Sequence, residues 1–373
     1  MNSKTIKSLS ALSLISAILT GTVQSAEYNA VDLGTLGGGS SQGSSINASG
    51  QVAGSSTISG GATHAFLYDG AMHDLGTMDG GSSSGSGISN DGHVVGTSSG
   101  SAERAFLYDG AMHDLGTLDP QGRFNSNGYG ISPNGVYTTG KASTESADSH
   151  AFRFGGLGKV DLGTLPSGGP STEGLGVNDS GEVTGDALSS DFLPHAFFYD
   201  GTMHDLGTFG GALSGGRSIN ANGIVVGYAE IADHNNSHAF LYDGTMHDLG
   251  TLGGPDSAAN SINSTGQVTG YSRTSEFASA SAFVYDPLHG GLRDLNTLID
   301  PSLGWHLTSG TGINDRGQIT GVMIVGNETH AFLLTPVPEP SGLILAALAC
   351  ACVGFWNWRR WGYTASGARS TSK

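Results

Sequence analysis

The chain has 373 residues, a formal net charge of −17, 62 glycines and only 13% charged side chains. Between residues 27 and 336 nine basic residues face thirty-one acidic ones, a balance of −22, and a body that acidic repels nucleic acid, whose phosphates reward Lys and Arg. The two cysteines, Cys350 and Cys352, both lie close to the C terminus, so no disulfide can staple the body.

The first element is a leader. Lys4 and Lys7 precede an apolar run from Leu9 to Leu19, and small residues follow up to Ala26. Residues 1–25 therefore read as a secretory signal peptide cut near Ser25 or Ala26, with an apolar core too short to span a bilayer. Export from the cytoplasm is the expectation.

Residues 26–336 repeat one unit of forty to forty-seven residues seven times. An Asp-Leu phrase begins at Asp32, Asp74, Asp114, Asp161, Asp205, Asp248 and Asp294. An apolar residue leads into a Gly-ended turn at Ile46, Ile88, Ile131, Val177, Ile219, Ile262 and Ile313, and Ala-Phe recurs at Phe66, Phe106, Phe152, Phe197, Phe240, Phe283 and Phe332. A period in this range marks solenoids, propellers or arrays, whose units bury their apolar faces only by stacking.

Within one unit, Ala65-Phe66-Leu67-Tyr68 alternates as a strand, and Asp69-Gly70 is expected to supply two positive-φ positions of a tight hairpin. Met72 to Thr77 returns, a Ser/Gly loop follows Gly80-Gly81, and Gly87-Ile88-Ser89 forms a third strand. Asn90-Asp91-Gly92 turns the chain into a fourth, His93 to Gly96. Four antiparallel strands per unit predict an all-β, seven-bladed β-propeller, a way of protecting sheet edges. The repeats begin and end in mid-unit, so the N- and C-terminal strands are expected to pair and close the ring. Regular Phe and Tyr argue against a disordered Gly/Ser polymer, and a parallel β-helix has shorter coils.

After the repeats, Val337-Pro338-Glu339-Pro340-Ser341 precedes an apolar stretch from Gly342 to Trp358 and then Arg359-Arg360. Residues 337–361 thus read as a segment with a transmembrane helix just long enough to span. The arginines stay on the cytoplasmic side, and Trp356, Trp358 and Trp361 suit the interface. Residues 362–373 form a short polar tail. Pro338, Glu339 and Pro340, with Arg359 and Arg360 as the basic stop, resemble the PEP-CTERM sorting signal of Gram-negative bacteria. That resemblance implies transient anchoring in the inner membrane, an exosortase-type protease and the secretion machinery as partners, and release to the cell surface or medium. The body resembles the extracellular HAF-repeat family through His-Ala-Phe at His64, His150, His195, His238 and His330, with Arg104 and Ser281 in the other two copies. It implies an exported repeat protein and names no activity.

No catalytic set converges in the sequence. Gly39-Ser40-Ser41-Gln42-Gly43 and Gly81-Ser82-Ser83-Ser84-Gly85 match a nucleophile elbow in letters, but they lack its strand-to-helix context. The thirteen histidines are spread one or two per repeat rather than gathered as ligands. Turns such as Asn178-Asp179-Ser180-Gly181 and Asn314-Asp315-Arg316-Gly317 carry oxygens that hard cations take, without EF-hand spacing. No cofactor and no metal site is expected, with structural calcium the lesser alternative. Exceptions to the repeat mark the candidate ligand surface: Arg123, Phe124 and Tyr129 in the Asp119–Pro133 insertion, and Trp305 and His306 in the Asn296–Gly312 insertion, both read as loops. Glu230–Asn236, with Asp233 and His234, is the third insertion. The reading is a non-catalytic exported binding or scaffold protein acting on exopolysaccharide or surface proteins. The alternative is a secreted propeller enzyme, a glycan lyase or hydrolase, and a mechanical coat stands behind both.

Overall fold

A computed structural model of the protein describes residues 26–156, 158–232, 236–274, 279–288 and 290–338. The leader, Asp233 and His234, Glu339, Pro340, Arg359, Arg360 and both cysteines lie outside the described residues; Pro338 is described and exposed. Among the described residues no helix is long and apolar enough to cross a membrane, and the expected spanning segment falls in the undescribed tail.

The described residues up to Thr335 are built of antiparallel strands in four-stranded sheets, here called blades. Blade 1 runs Gly37–Ile46, Val52–Ile58, Thr63–Tyr68, Met72–Gly76, in that spatial order. Blades 2 to 6 repeat the order from Ser82–Ile88, Ser126–Ile131, Thr172–Val177, Gly210–Ile219 and Gly253–Ile262. The seventh combines Trp305–Ile313, Ile319–Val325 and Glu328–Pro336 with Tyr28–Asp32 from the other end of the chain. A single parallel pair, Ser40 with Thr329, joins this blade to blade 1. First strands touch in succession, and Gly37–Ile46 touches both Ser82–Ile88 and Trp305–Ile313.

Two local expectations are corrected. The Ser/Gly stretch, read as a loop, is the first strand of each blade, because strands converging on a common centre leave no room for side chains. At Gly54, on the second strand, an added Cβ would stand 2.0 Å from the Gln42 carbonyl oxygen and 2.8 Å from the Phe66 ring. The Asp69-Gly70 hairpin has one positive φ, +117° at Gly70. Tyr68 pairs with Met72, so the loop has three residues and Asp69 keeps an ordinary backbone.

The core lies between blades. All seven Ala-Phe phenylalanines have no exposed surface, and each clusters with the motif alanine of the preceding blade. Phe106 packs with Ala65, Phe240 with Ala196 and Phe66 with Ala331. Burial of one such ring is worth about 1.5–3 kcal/mol, so each Phe holds two blades together.

The motif histidines serve the sheets. His64 Nδ1 lies 2.9 Å from Asp74, whose Oδ1 also accepts from the Gly76 N–H at 2.8 Å. The pair recurs at His150–Asp161, His195–Asp205 and His238–Asp248. Between the chain ends, His330 Nδ1 stands 2.8 Å from Asp32. In blade 2, Arg104 faces Asp114 at 3.7 Å instead. The second histidines, such as His73, clip the hairpin aspartate, here Asp69 at 2.8 Å.

Candidate functional site

Every first strand carries a β-bulge shortly before its final apolar residue. The register slips between Gly43 and Ser45, Gly85 and Gly87, Gly128 and Gly130, and Gly174 and Gly176. It slips again between Gly216 and Ser218, Ala259 and Ser261, and Gly310 and Gly312. A bulge leaves one residue unpaired and re-aims its side chain. The bulged residues are Ser44, Ser86, Tyr129, Leu175, Arg217, Asn260 and Thr311, and all seven line one cavity of about 400 Å³. Glycine precedes six of them and alanine the seventh, because the first strands crowd: at Gly130 a Cβ would lie 2.8 Å from the Leu175 carbonyl oxygen.

Below the bulges a belt of amides ties the blades. Asn178 Nδ2 donates to the Asn220 carbonyl at 3.0 Å, Asn220 to Asn263 at 3.1 Å, Asn263 to Asn314 at 3.0 Å, and Asn314 to Asn47 at 2.8 Å. Asn47 then donates to the Ser89 carbonyl at 3.0 Å. Each Oδ1 accepts from its own turn, as Asn178 does from Ser180 N and Glu182 N. Side-chain oxygens proposed as cation ligands thus bond backbone: Asp179 Oδ1 accepts from Asn134 N and Asp315 Oδ1 from Ser264 N. Among the described residues no three His, Cys, Asp or Glu gather as a metal site.

The bulged residues of this cavity are not seven-fold, and neither are the paired residues just before them, which lie outside its lining. Where the first two strands pair just before the bulge, blades 1 and 2 present Gln42/Ser55 and Ser84/Thr97 and blade 7 presents Ser309/Val322. Blades 3 to 6 present Asn127/Lys141, Glu173/Asp186, Gly215/Tyr228 and Ala258/Tyr271. With Tyr129 and Arg217 these form a band of aromatic and charged groups on one arc. Lys141 Nζ sits 3.1 Å from Glu173 and 5.9 Å from the centre of the Tyr129 ring. Arg217 stacks on Tyr228 at 5.2 Å. A second cavity of about 200 Å³ opens between blades 5 and 6, lined by Arg217, Tyr228, Asp256, Asn260, Tyr271 and Arg273. Burial pushes the Asp186 carboxyl up to about 7 against the pull of Arg217, and its Oδ1 is buried without a hydrogen bond. Burial also raises the Tyr129 and Tyr228 phenols.

The sequence-predicted surface is dispersed. Tyr129 lines the 400 Å³ cavity. Arg123 is held by Asp119 at 3.1 Å, holding that carboxyl down at about 2, and lies over Phe124 at 5.1 Å. Arg104 reaches into the same loop, donating to the Phe124 and Gly122 carbonyls. Trp305 and His306 stand on a strand rather than a loop: two one-turn 3-10 segments, Leu295–Thr297 and Pro301–Leu303, precede it. Trp305 is half-buried against the core of blade 7, and His306 Nε2 meets the Ala280 carbonyl at 3.1 Å. Sequence reading searched the insertions and missed Lys141, Glu173, Asp186, Arg217, Tyr228 and Tyr271. The signal was available, since these are exceptions at fixed positions of the repeat.

The elbow-like serines are buried fasteners. Ser41 Oγ donates to the Gly34 carbonyl and accepts from Ala331 N at 2.9 Å. Ser83 does the same with Gly76 O and, at 2.8 Å, with Ala65 N.

No protein-family model and no curated protein matches the chain. Among solved structures, the β-propeller domain of the Trilobed protease from Pyrococcus furiosus, described as having an open velcro topology, is similar. It has a TM-score of 0.52 at 8% identity over 83% of this chain and 98% of its own. The fold is a β-propeller. Pyrococcus horikoshii acylaminoacyl peptidase is similar over 82% of this chain, with a TM-score of 0.50 at 11% identity, and the chain covers 54% of that enzyme. TolB from Acinetobacter baumannii gives a TM-score of 0.43 at 12% identity over 78% of this chain and 64% of TolB. The propeller thus spans less than two thirds of either of these last two proteins, and at such identities the likeness is one of fold.

Proposed function

We propose that this is an exported propeller that binds carbohydrate without turning it over, and that its seat is the cavity arc of blades 3 to 6. The observation that carries this reading is the asymmetry of the bulged residues and of the paired residues just before them. A repeat under packing constraint alone would hold small or neutral polar residues at every such position, as blades 1 and 2 do; departures from a local pattern mark use. Tyrosine faces suit sugar rings, and rigid strands bearing bulged side chains give a preformed, concave site.

On the same reading the ring is closed by the strand Tyr28–Asp32 lying beside Glu328–Pro336, so that the seat is held rigid. The leader exports the protein, and the Pro338-Glu339-Pro340 tail anchors it until an exosortase-type protease releases it to the surface. Deleting Pro338–Pro340 should leave the protein in the membrane fraction, and unaltered surface delivery would refute the sorting part.

The competing reading, a propeller enzyme acting on glycans, draws on one observation: a buried carboxyl brought to about 7 near Arg217 and Tyr228 is the kind of group acid–base chemistry uses. A glycan array incubated with the whole protein, read first for retention and then for shortened or unsaturated products, separates the two. Retention with intact glycans supports binding, products support the enzyme, and neither would refute both.

A further inference from the structure

We propose that the seat between blades 5 and 6 selects a carboxylate-bearing sugar, a uronate, whose carboxylate is gripped by Arg217 beside the Tyr228 ring. The proposal rests on the reading of this cavity as a carbohydrate site and names the class of sugar.

Arg217 is the bulged residue of its strand, exposed, and lines both the larger cavity and the 200 Å³ cavity, which is the size of a single sugar ring. The other charged groups of that smaller cavity, Asp256 and Arg273, face each other at 3.5 Å, and neighbouring Lys141 is taken by Glu173. Arg217 has a ring beneath it but no carboxylate at ion-pair distance among the described residues. A guanidinium offers a rigid fork that matches a carboxylate bidentately, and an aromatic face under it holds the plane of that fork. A sugar ring set against Tyr228 or Tyr271 would bring its carboxylate to this fork.

Asp186 is the internal competitor. It packs behind Gly215, where a Cβ would lie 2.7 Å from its Oδ1. The charged and titratable groups around it are Arg217, Glu173 and Tyr228, with Lys141 reached through Glu173. Below about 7 it is protonated and leaves Arg217 to the ligand; above, its charge offsets that of Arg217. A uronate stays ionised across this range, as carboxylic acids do above roughly pH 4–5. Asp186 is therefore a positioning residue, and affinity for the anionic sugar should fall as pH rises from 6 to 8. The acidic body repels long polyanions, but at physiological salt that field decays over about 8 Å, so a short oligosaccharide is the suitable probe.

The test is calorimetric titration of the whole protein with trigalacturonate, with neutral trigalactose of the same linkage, and with a sulfated trisaccharide. The uronate should bind about tenfold more tightly than the neutral sugar at pH 6, the range of a charge-assisted bidentate contact. Arg217→Ala should erase that preference, bringing the ratio of uronate to neutral-sugar affinity to about one, with circular dichroism verifying the fold. Arg217→Lys should restore part of it. Asp186→Asn should keep the preference and remove its pH dependence. Equal affinity for uronate and neutral sugar would overturn the uronate proposal while leaving carbohydrate binding standing, and a preference for the sulfated sugar would overturn it too. Binding of none would refute both readings.

Discussion

Replacing Asn220 by Ala should destabilise the protein by roughly 2–4 kcal/mol, although the side chain is small. Asn220 is 5% exposed, and its side chain makes three hydrogen bonds. Its Nδ2 donates to the Asn263 carbonyl of the next blade at 3.1 Å, and its Oδ1 accepts from Asn222 N at 3.0 Å and Ile224 N at 3.1 Å. Each bond is worth about 1 kcal/mol net, and a buried carbonyl left without its donor costs about 1–3 kcal/mol. The repeat supplies its own control. Blades 2 and 3 hold Ser89 and Ser132 at this position, whose hydroxyls accept from His93 N at 3.1 Å and Tyr137 N at 2.9 Å. There Asn90 N bonds the Pro133 carbonyl across the blades at 2.8 Å. Asn220→Ser should therefore keep a turn bond and cost about half as much, roughly 1–2 kcal/mol. Urea titration followed by fluorescence, comparing midpoints at constant slope, measures both. An alanine variant within about 0.5 kcal/mol of wild type, or a serine variant as damaging as alanine, would refute the amide-belt reasoning.

Ser41→Ala should lower the melting temperature by removing a buried donor and acceptor together, about 1–3 kcal/mol, and wild-type protein should take no label from a fluorophosphonate; labelled Ser41 would contradict its structural role. His195→Ala should cost at most about 1 kcal/mol, because the pair with Asp205 has side chains 20% and 41% exposed and blade 6 already has Ser281; a loss above about 2 kcal/mol would show that the pair is worth more than an exposed ion pair. Asp186→Asn should stabilise at pH 8 and not at pH 3. With a folded-state value raised from 3.8 to about 7, the native state binds the extra proton, so wild-type stability is full below about 4 and falls as pH rises through about 7. The gap bounds the gain at roughly 4 kcal/mol, and a variant melting no higher than wild type at pH 8 would be the contrary result.

Much of the architecture was legible because the repeat fixes one residue type per structural duty. Phe marked the inter-blade core, and Asn-Asp-Gly marked the turn at Gly92, where φ is +83°. The Ser/Gly strands were not legible: small residues at the crowded centre of a propeller look like loop composition, and only the packing at positions such as Gly54 and Gly130 tells them apart. Trp305 was misplaced for the opposite reason, since a long spacing suggested a loop where two 3-10 turns deliver the chain to a strand. The amide belt escaped because Asn47 and its counterparts explain a turn fully on their own, and their Nδ2 bonds reach residues 42 or more positions away. The cavity band was hidden by attention to insertions. A bulge cannot be read from one repeat, yet Ser44, Ser86, Tyr129, Leu175, Arg217, Asn260 and Thr311 stand at one place in all seven, and their divergence is plain once they are aligned.

The most direct test of the binding account is to give the decorated arc the residues of blades 1 and 2. Tyr129→Ser, Arg217→Ser, Tyr228→Thr and Tyr271→Thr combined place at each position a residue type that this fold already holds at its equivalent, Ser44, Ser86 or Thr97. Glycan-array retention of that variant, beside its melting curve, is the measurement. The account predicts that the protein melts as wild type does and that retention disappears; a folded variant that retains the same glycans would contradict it.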